Sequence, residues 1–168
     1  MLADEQIDQD DPRRPDVRAL IERHLEFSLG QTPPEHSFAL DAGGLLDPSI
    51  TFFSYRAGGS LLGIGALKRL GPDQAEIKSM HTAEAARGFG VGRALLAHLL
   101  AVARAQGLRR VSLETGTTAA FAPARTLYRS AGFVPCGPFG GYRPTDDNTF
   151  MTLDLDAVQE NPRRASGV

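Results

Sequence analysis

The sequence predicts an α/β chain: a mixed, mostly antiparallel sheet of six to seven strands flanked by helices, with one βαβ crossover. Three observations predict it. Apolar residues alternate with period two over several short stretches, and they recur at helical spacing over several others. Between a strand pattern and a helix pattern stands a glycine loop, Arg87-Gly88-Phe89-Gly90-Val91-Gly92-Arg93. Two parallel strands need a crossover of about a dozen residues, and the segment between that loop and Gly107 supplies one.

Residues 1–14 are acidic, with Pro12 within them and Pro15 just after, and admit a short edge strand over 2–8. From Pro15, the residues Val17, Leu20, Ile21, Leu25 and Phe27 follow helical spacing. Proline suits the first helical turn, and Gly30 followed by Thr32-Pro33-Pro34 ends the pattern. Residues 36–46 fit either a loop or a second short helix. Residues 50–56 and 61–69, joined by Ala57-Gly58-Gly59-Ser60, form a hairpin pattern, and Gly71-Pro72-Asp73 turns into a third strand over 74–82. Leu95, Leu96, Leu99, Val102 and Ala103 mark one face of a helix beginning at Ala94 and stopping at Gly107.

Residues 109–115 alternate as a strand. Pro123 opens another helix, which carries Leu127 and Tyr128 towards Gly132. The last two strands start at Val134 and cover 149–155, separated by Gly137-Pro138-Phe139-Gly140-Gly141. The chain thus divides into an acidic N-terminal segment (1–14), a single domain (15–157) and a polar tail (158–168) expected to be disordered.

Eighteen basic against 20 acidic residues provide no global positive field, which argues against nucleic acid as the main partner. The lone Cys136 excludes an internal disulfide and reads as a small buried hydrophobe. The acidic start has no apolar core of a secretory signal, and no stretch approaches the roughly 20 apolar residues of a membrane span. A cytoplasmic protein with no membrane partner is expected. His24, His36 and His98 lie far apart without metal-ligand spacing, so no metal is expected.

Glycines at 88, 90 and 92 let backbone N–H groups approach an anion, and the following helix aims its positive end at the same point. The spacing fits neither G-x-G-x-x-G of a dinucleotide fold nor a P-loop, which needs four residues between its glycines and then Lys and Ser or Thr. Some forty residues on comes Leu127-Tyr128-Arg129-Ser130-Ala131-Gly132-Phe133, after Ser112-Leu113-Glu114-Thr115-Gly116. Together, R-x-x-G-x-G and L-Y-x-x-x-G-F resemble the paired motifs of the GNAT superfamily of N-acetyltransferases, in particular its bacterial small-molecule type. The likeness covers roughly residues 50–155.

That resemblance implies the GNAT fold, acetyl-coenzyme A as acyl donor without a metal, and transfer of its acetyl group to a primary amine of a small molecule or amino acid by direct attack. It implies that Met80, His81 and Thr82 hold the pantetheine arm, and that Arg87, Gly88, Phe89, Gly90, Val91, Gly92 and Arg93 hold the pyrophosphate. Tyr128 corresponds to the tyrosine that protonates the departing thiolate. Glu76, on the strand before the loop, and Glu114, at the end of the next, are the two carboxylates fitted to act as general base, and Glu114 is equally fitted to bind a cationic substrate. His81 also invites a base role, but strand alternation sets it against Met80 and Thr82, and the sequence leaves open which face lines the cleft.

Where many members carry an asparagine, seven residues before the tyrosine, this chain has Phe121. Its ring is expected to pack against the arm or the acceptor, with Arg125 supplying charge nearby. For the acceptor side, the fold nominates Phe27, His36, Tyr55, Phe139 and Tyr142. A homodimer, common in the family, is implied by the resemblance alone. Two other readings stay open: a coenzyme A-binding regulatory module without catalysis, and an acetyltransferase acting on proteins or peptides.

Overall fold

A computed structural model describes residues 4–156. The tail expected over 158–168 lies outside the described residues. Strands β1 (Glu5–Gln9), β2 (Ile50–Ala57), β3 (Ser60–Arg69), β4 (Gln74–Thr82), β5 (Arg110–Gly116), β6 (Val134–Cys136) and β7 (Asn148–Asp154) form one sheet in the order β1-β2-β3-β4-β5-β7-β6. Only β4 and β5 run parallel; every other neighbouring pair is antiparallel. The helices are α1 (Pro15–Gln31), α2 (Val91–Ala105) and α3 (Ala122–Ser130). The undecided stretch 36–46 is loop, with single 3-10 turns at Pro34–His36 and Gly44–Leu46. Among the described residues, no helix is long and apolar enough to cross a membrane.

Strand alternation distributes the core between the two faces. On one face, Val17, Leu20 and Ile21 of α1 pack on Phe52, Ile64 and Ala66. On the other, Leu96, Leu99, Leu100 and Ala103 of α2, with Tyr128 of α3, pack on Phe53, Leu67, Ile77, Val111 and Leu113. Arg56 fixes the entry to α1, since its guanidinium donates to Asp10 at 3.0 Å and to Asp16 at 2.6 Å.

Two features of β4 create the functional cleft. First, β4 and β5 pair only from Gln74↔Arg110 to Ile77↔Leu113; beyond Ile77 the strands separate while β5 stays paired with β7 through Gly116↔Asn148. Second, Ser79 adopts φ +57, and the register between β3 and β4 slips there, with Ala66 opposite Lys78 but Ile64 opposite His81. This bulge resets the alternation. Ile77 and Met80 both join the α2 face, so His81 emerges on the α1 face, where its ring meets His24.

Helix α2 sits close to the sheet because β3 presents glycines beneath it. A Cβ at Gly63 would lie 2.8 Å from Val91 Cγ1, and one at Gly65 would lie 3.2 Å from Leu99 Cδ1. The helix begins at Val91, three residues before the expected start at Ala94, because Gly90 takes the left-handed conformation at the N-cap and the chain is helical from the next residue. Val91, Gly92 and Arg93 are therefore its first turn.

Candidate active site

At the split between β4 and β5 lies a cleft of about 540 Å³. One end is the glycine loop. Gly88 and Gly90 stand at φ +83 and +81 with nothing within 4 Å of where a Cβ would project. That open backbone precedes the free N–H groups of the first turn of α2, the arrangement an anionic oxygen requires. Gly92 serves differently: a Cβ there would lie 3.3 Å from Leu127 Cδ2, so it lets α3 approach the loop. Arg87 lines the cleft, whereas Phe89 and Arg93 do not; Phe89 is 78% exposed.

Met80, His81, Thr82 and Tyr128 line the next stretch. The Tyr128 ring is buried against Phe133, its hydroxyl has no hydrogen-bond partner among the described residues, and burial pushes its pKa up. It therefore holds its proton at neutral pH, as a general acid must. His81 and His24 share one proton across 3.1 Å between their Nδ1 atoms. Burial, then the charges of Arg87 and Arg23, hold His81 down to about 4; burial, then His81, do the same to His24. Both are neutral rings near pH 7, and a value near 4 leaves His81 a weak proton acceptor.

The two carboxylates occupy the α1 face of the sheet in different settings. Glu76 is 3% exposed; the Tyr142 hydroxyl donates to its Oε2, and Lys78 Nζ lies 3.4 Å from the same atom and 2.6 Å from the Tyr142 oxygen. Glu76 is thus committed to a buried ion pair and hydrogen bond. Glu114 is half-buried and lines the cleft. Burial pushes its pKa up to about 7; Lys78 and a hydrogen bond from Asn148 pull it down, and the charge of Glu76 raises it further. A carboxylate with that value attracts an ammonium ion when ionised and, once the amine has lost a proton to solvent, can take the proton the nitrogen sheds on attack.

Of the expected acceptor residues, Phe27, His36 and Tyr142 line the cleft, and so does Phe121. Tyr55 does not. Alternation along β2 sets it under α2 with Ala86, Val91 and Leu95, at 8% exposure. Phe139 also stays outside, packed on Tyr142 and Phe150. Arg125 is a brace and not a cleft charge: its Nη1 donates to the carbonyls of Gly116 and Thr118 at 2.8 and 2.9 Å. Phe121, held by that braced turn, lies over Gly116, where a Cβ would come within 2.2 Å of its ring. Cys136 is half-buried on β6, outside the cleft, and burial pushes its thiol up.

Several cleft residues escape sequence reasoning. Lys78 was signalled by its two-residue spacing from Glu76 on one strand face. His24, Phe38, Asp147 and Asn148 had no local signal, because they come from distant segments. His36 Nδ1 and Asp147 Oδ2, 2.5 Å apart, join the segment after α1 to the one before β7, and Arg143 donates to the Glu35 carbonyl at 3.4 Å across the same two segments. Among the described residues, no three His, Cys, Asp or Glu side chains gather as a metal set.

Residues 15–133 match the family model described as "Acetyltransferase (GNAT) family". The chain is 44% identical over 156 residues to "Uncharacterized N-acetyltransferase YedL" of Escherichia coli K12, covering 93% of this chain and 98% of that protein. It is 38% identical over 151 residues to "IAA acetyltransferase" of Azospirillum brasilense, covering 89% and 97% respectively. The fold is that of a GNAT acetyltransferase from Elizabethkingia anophelis whose crystal structure has acetyl-CoA bound, with TM-score 0.63 and 15% identity over 89% of this chain and 97% of that one.

Proposed function

The chain belongs to the acetyltransferase (GNAT) family, and we propose that it transfers the acetyl group of acetyl-coenzyme A to the primary amine of a small molecule by direct attack in a ternary complex. The observation that carries this reading is the placement of Glu114 and Tyr128 on one cleft that ends at an open glycine loop. Acetyl-coenzyme A supplies an activated acyl carbon and a thiolate leaving group. The chain's residues supply the anion cradle, the base and the acid.

Backbone N–H groups from Gly88 to Gly92 hold the pyrophosphate at the start of α2, and Arg87 adds charge from the cleft wall. Met80, His81 and Thr82 lie where β4 has left β5, with strand edge free to pair with the amides of the arm. Glu114 takes the proton that the acceptor nitrogen sheds as its lone pair forms the new C–N bond. Tyr128 gives its proton to the sulfur as the C–S bond breaks, and solvent resets both groups afterwards. No covalent enzyme intermediate is needed, and Cys136 stands outside the cleft.

Tyr128→Phe tests this assignment. It retains the buried ring and removes only the proton donor, so turnover, followed as thiol release, falls about 10²- to 10⁴-fold, while calorimetric affinity for acetyl-coenzyme A stays within about threefold. Equal turnover in the variant removes the general-acid role. Loss of coenzyme affinity in step with turnover makes Tyr128 a binding residue instead.

A further inference from the structure

The acceptor end of the cleft combines one available carboxylate with two clusters of uncharged rings. Resting on the acetyl-transfer reading above, we propose that the acceptor is a primary monoamine with an aromatic body and no carboxylate beside its amine.

The rings come from five separate segments. Phe27 of α1 meets Phe121 edge to face at 5.1 Å and His81 at 6.2 Å, and His81 meets His24 at 5.0 Å. Phe38, after α1, meets Tyr142, before β7, at 5.1 Å. All six line the cleft. Both histidines are held near 4, so this surface carries no charge at neutral pH. Centroid separations of about 4.5–7 Å at steep angles are those in which aromatic rings attract one another, and a flat aromatic ligand extends such a cluster without repacking it.

Charge decides what the amine is attached to. Lys78 is spent on Glu76 and Tyr142, and its side chain is 10% exposed. Asp147 is spent on His36. Glu114 remains as the carboxylate of the cleft without a cation of its own, and it attracts an ammonium group. An α-amino acid brings a second carboxylate within a few ångströms of Glu114 and Glu76, where like charges in a half-buried site cost free energy. A diamine or polyamine needs a second unpartnered carboxylate in the cleft, and there Glu76 is held by Tyr142 and Lys78 and Asp147 by His36. A peptide threading the cleft has to part the His36–Asp147 and Arg143–Glu35 links, which tie its two flanking segments together.

The test uses the full chain with four acceptors: 2-phenylethylamine, phenylalanine, putrescine and a short peptide with a free N-terminus. Thiol release gives kcat/KM, and calorimetry on the enzyme saturated with coenzyme A gives binding separately. The expected result is at least a tenfold preference for 2-phenylethylamine in both measurements. Phe121→Ala is expected to narrow its advantage over propylamine about tenfold. Equal or better binding and turnover of phenylalanine, putrescine or the peptide overturns the acceptor assignment and leaves acetyl transfer standing. Selective binding of 2-phenylethylamine without thiol release from any amine supports the acceptor assignment and overturns the catalytic reading.

Discussion

Replacing Glu114 by Gln is expected to make the protein less active and more stable at the same time. The carboxyl is raised from 4.5 to about 7, first by burial, so the folded state binds its proton more tightly than the unfolded state does. For a raised carboxyl the sign is fixed: its contribution to stability is fully present below the unfolded value and is lost as pH rises through the folded one. The window is therefore pH 4.5 to about 7. At about 1.36 kcal/mol per pH unit the full span corresponds to about 3 kcal/mol. Glu114 is only half-buried, so solvent screening reduces this to about 1–3 kcal/mol.

Above pH 7 the wild type carries that cost and Glu114→Gln does not. The variant's thermal midpoint at pH 8 should be higher by roughly 2–10 °C for a chain of this size, and the gap should close at pH 5. Activity moves the other way. In the wild type, kcat/KM climbs about tenfold per pH unit below 7 as the base ionises, and the variant lacks that limb with turnover down about 10²-fold or more. The acceptor's own ammonium adds a second limb at higher pH that both proteins share. Paired thermal melts and pH–rate profiles from pH 5 to 9 provide the check. A variant that keeps the limb near 7, or a stability gap that does not change with pH, refutes the assignment of Glu114 as the base.

Gly90→Val places a β-branched residue at φ +81, where only glycine is unstrained. Nothing crowds the site, so the fold survives, but the loop shifts, and calorimetric affinity for coenzyme A should fall about 10- to 100-fold with unchanged far-UV circular dichroism. Unchanged affinity removes the loop from coenzyme binding. Gly116→Ala forces a Cβ into the Phe121 ring, displacing it from the acceptor end at a stability cost of about 1–3 kcal/mol. The acceptor KM should rise about tenfold while coenzyme affinity stays within twofold; an unchanged KM refutes the acceptor-wall role of Phe121.

What the sequence displays directly is local. The proposed anion cradle is one contiguous run, 87–93, and the proposed acid sits in a second, so both are legible as spaced motifs. The run β2-β3-β4-β5 follows from turn chemistry and the glycine-loop crossover, whereas the insertion of β7 between β5 and β6 has no local signal. The acceptor end is illegible for the opposite reason, since its residues come from α1, the segment after it, the turn after β5 and the loop before β7. Period-two reasoning explains the Tyr55 error as well: a tyrosine on β2 has equal chance of either face, and Phe53 and Tyr55 both pack under α2.

The bulge at Ser79 links those two kinds of information. With unbroken alternation His81 lies on the α2 face with Ile77, and His24 buries its ring without a partner. One residue at φ +57 sends Met80 to the α2 face and His81 to the α1 face, beside Phe27. Lys78, just before the bulge, stays on the same face as Glu76 and neutralises it. The strand that carries the donor-side backbone thus also sets the charge and the rings on the acceptor side. On the proposed reading, donor and acceptor recognition are joined through the bulge at Ser79, although the residue itself contributes neither a charge nor a ring. Its buried hydroxyl, without a partner among the described residues, fits this reading: what the position supplies is its backbone conformation, and the side chain bears the cost.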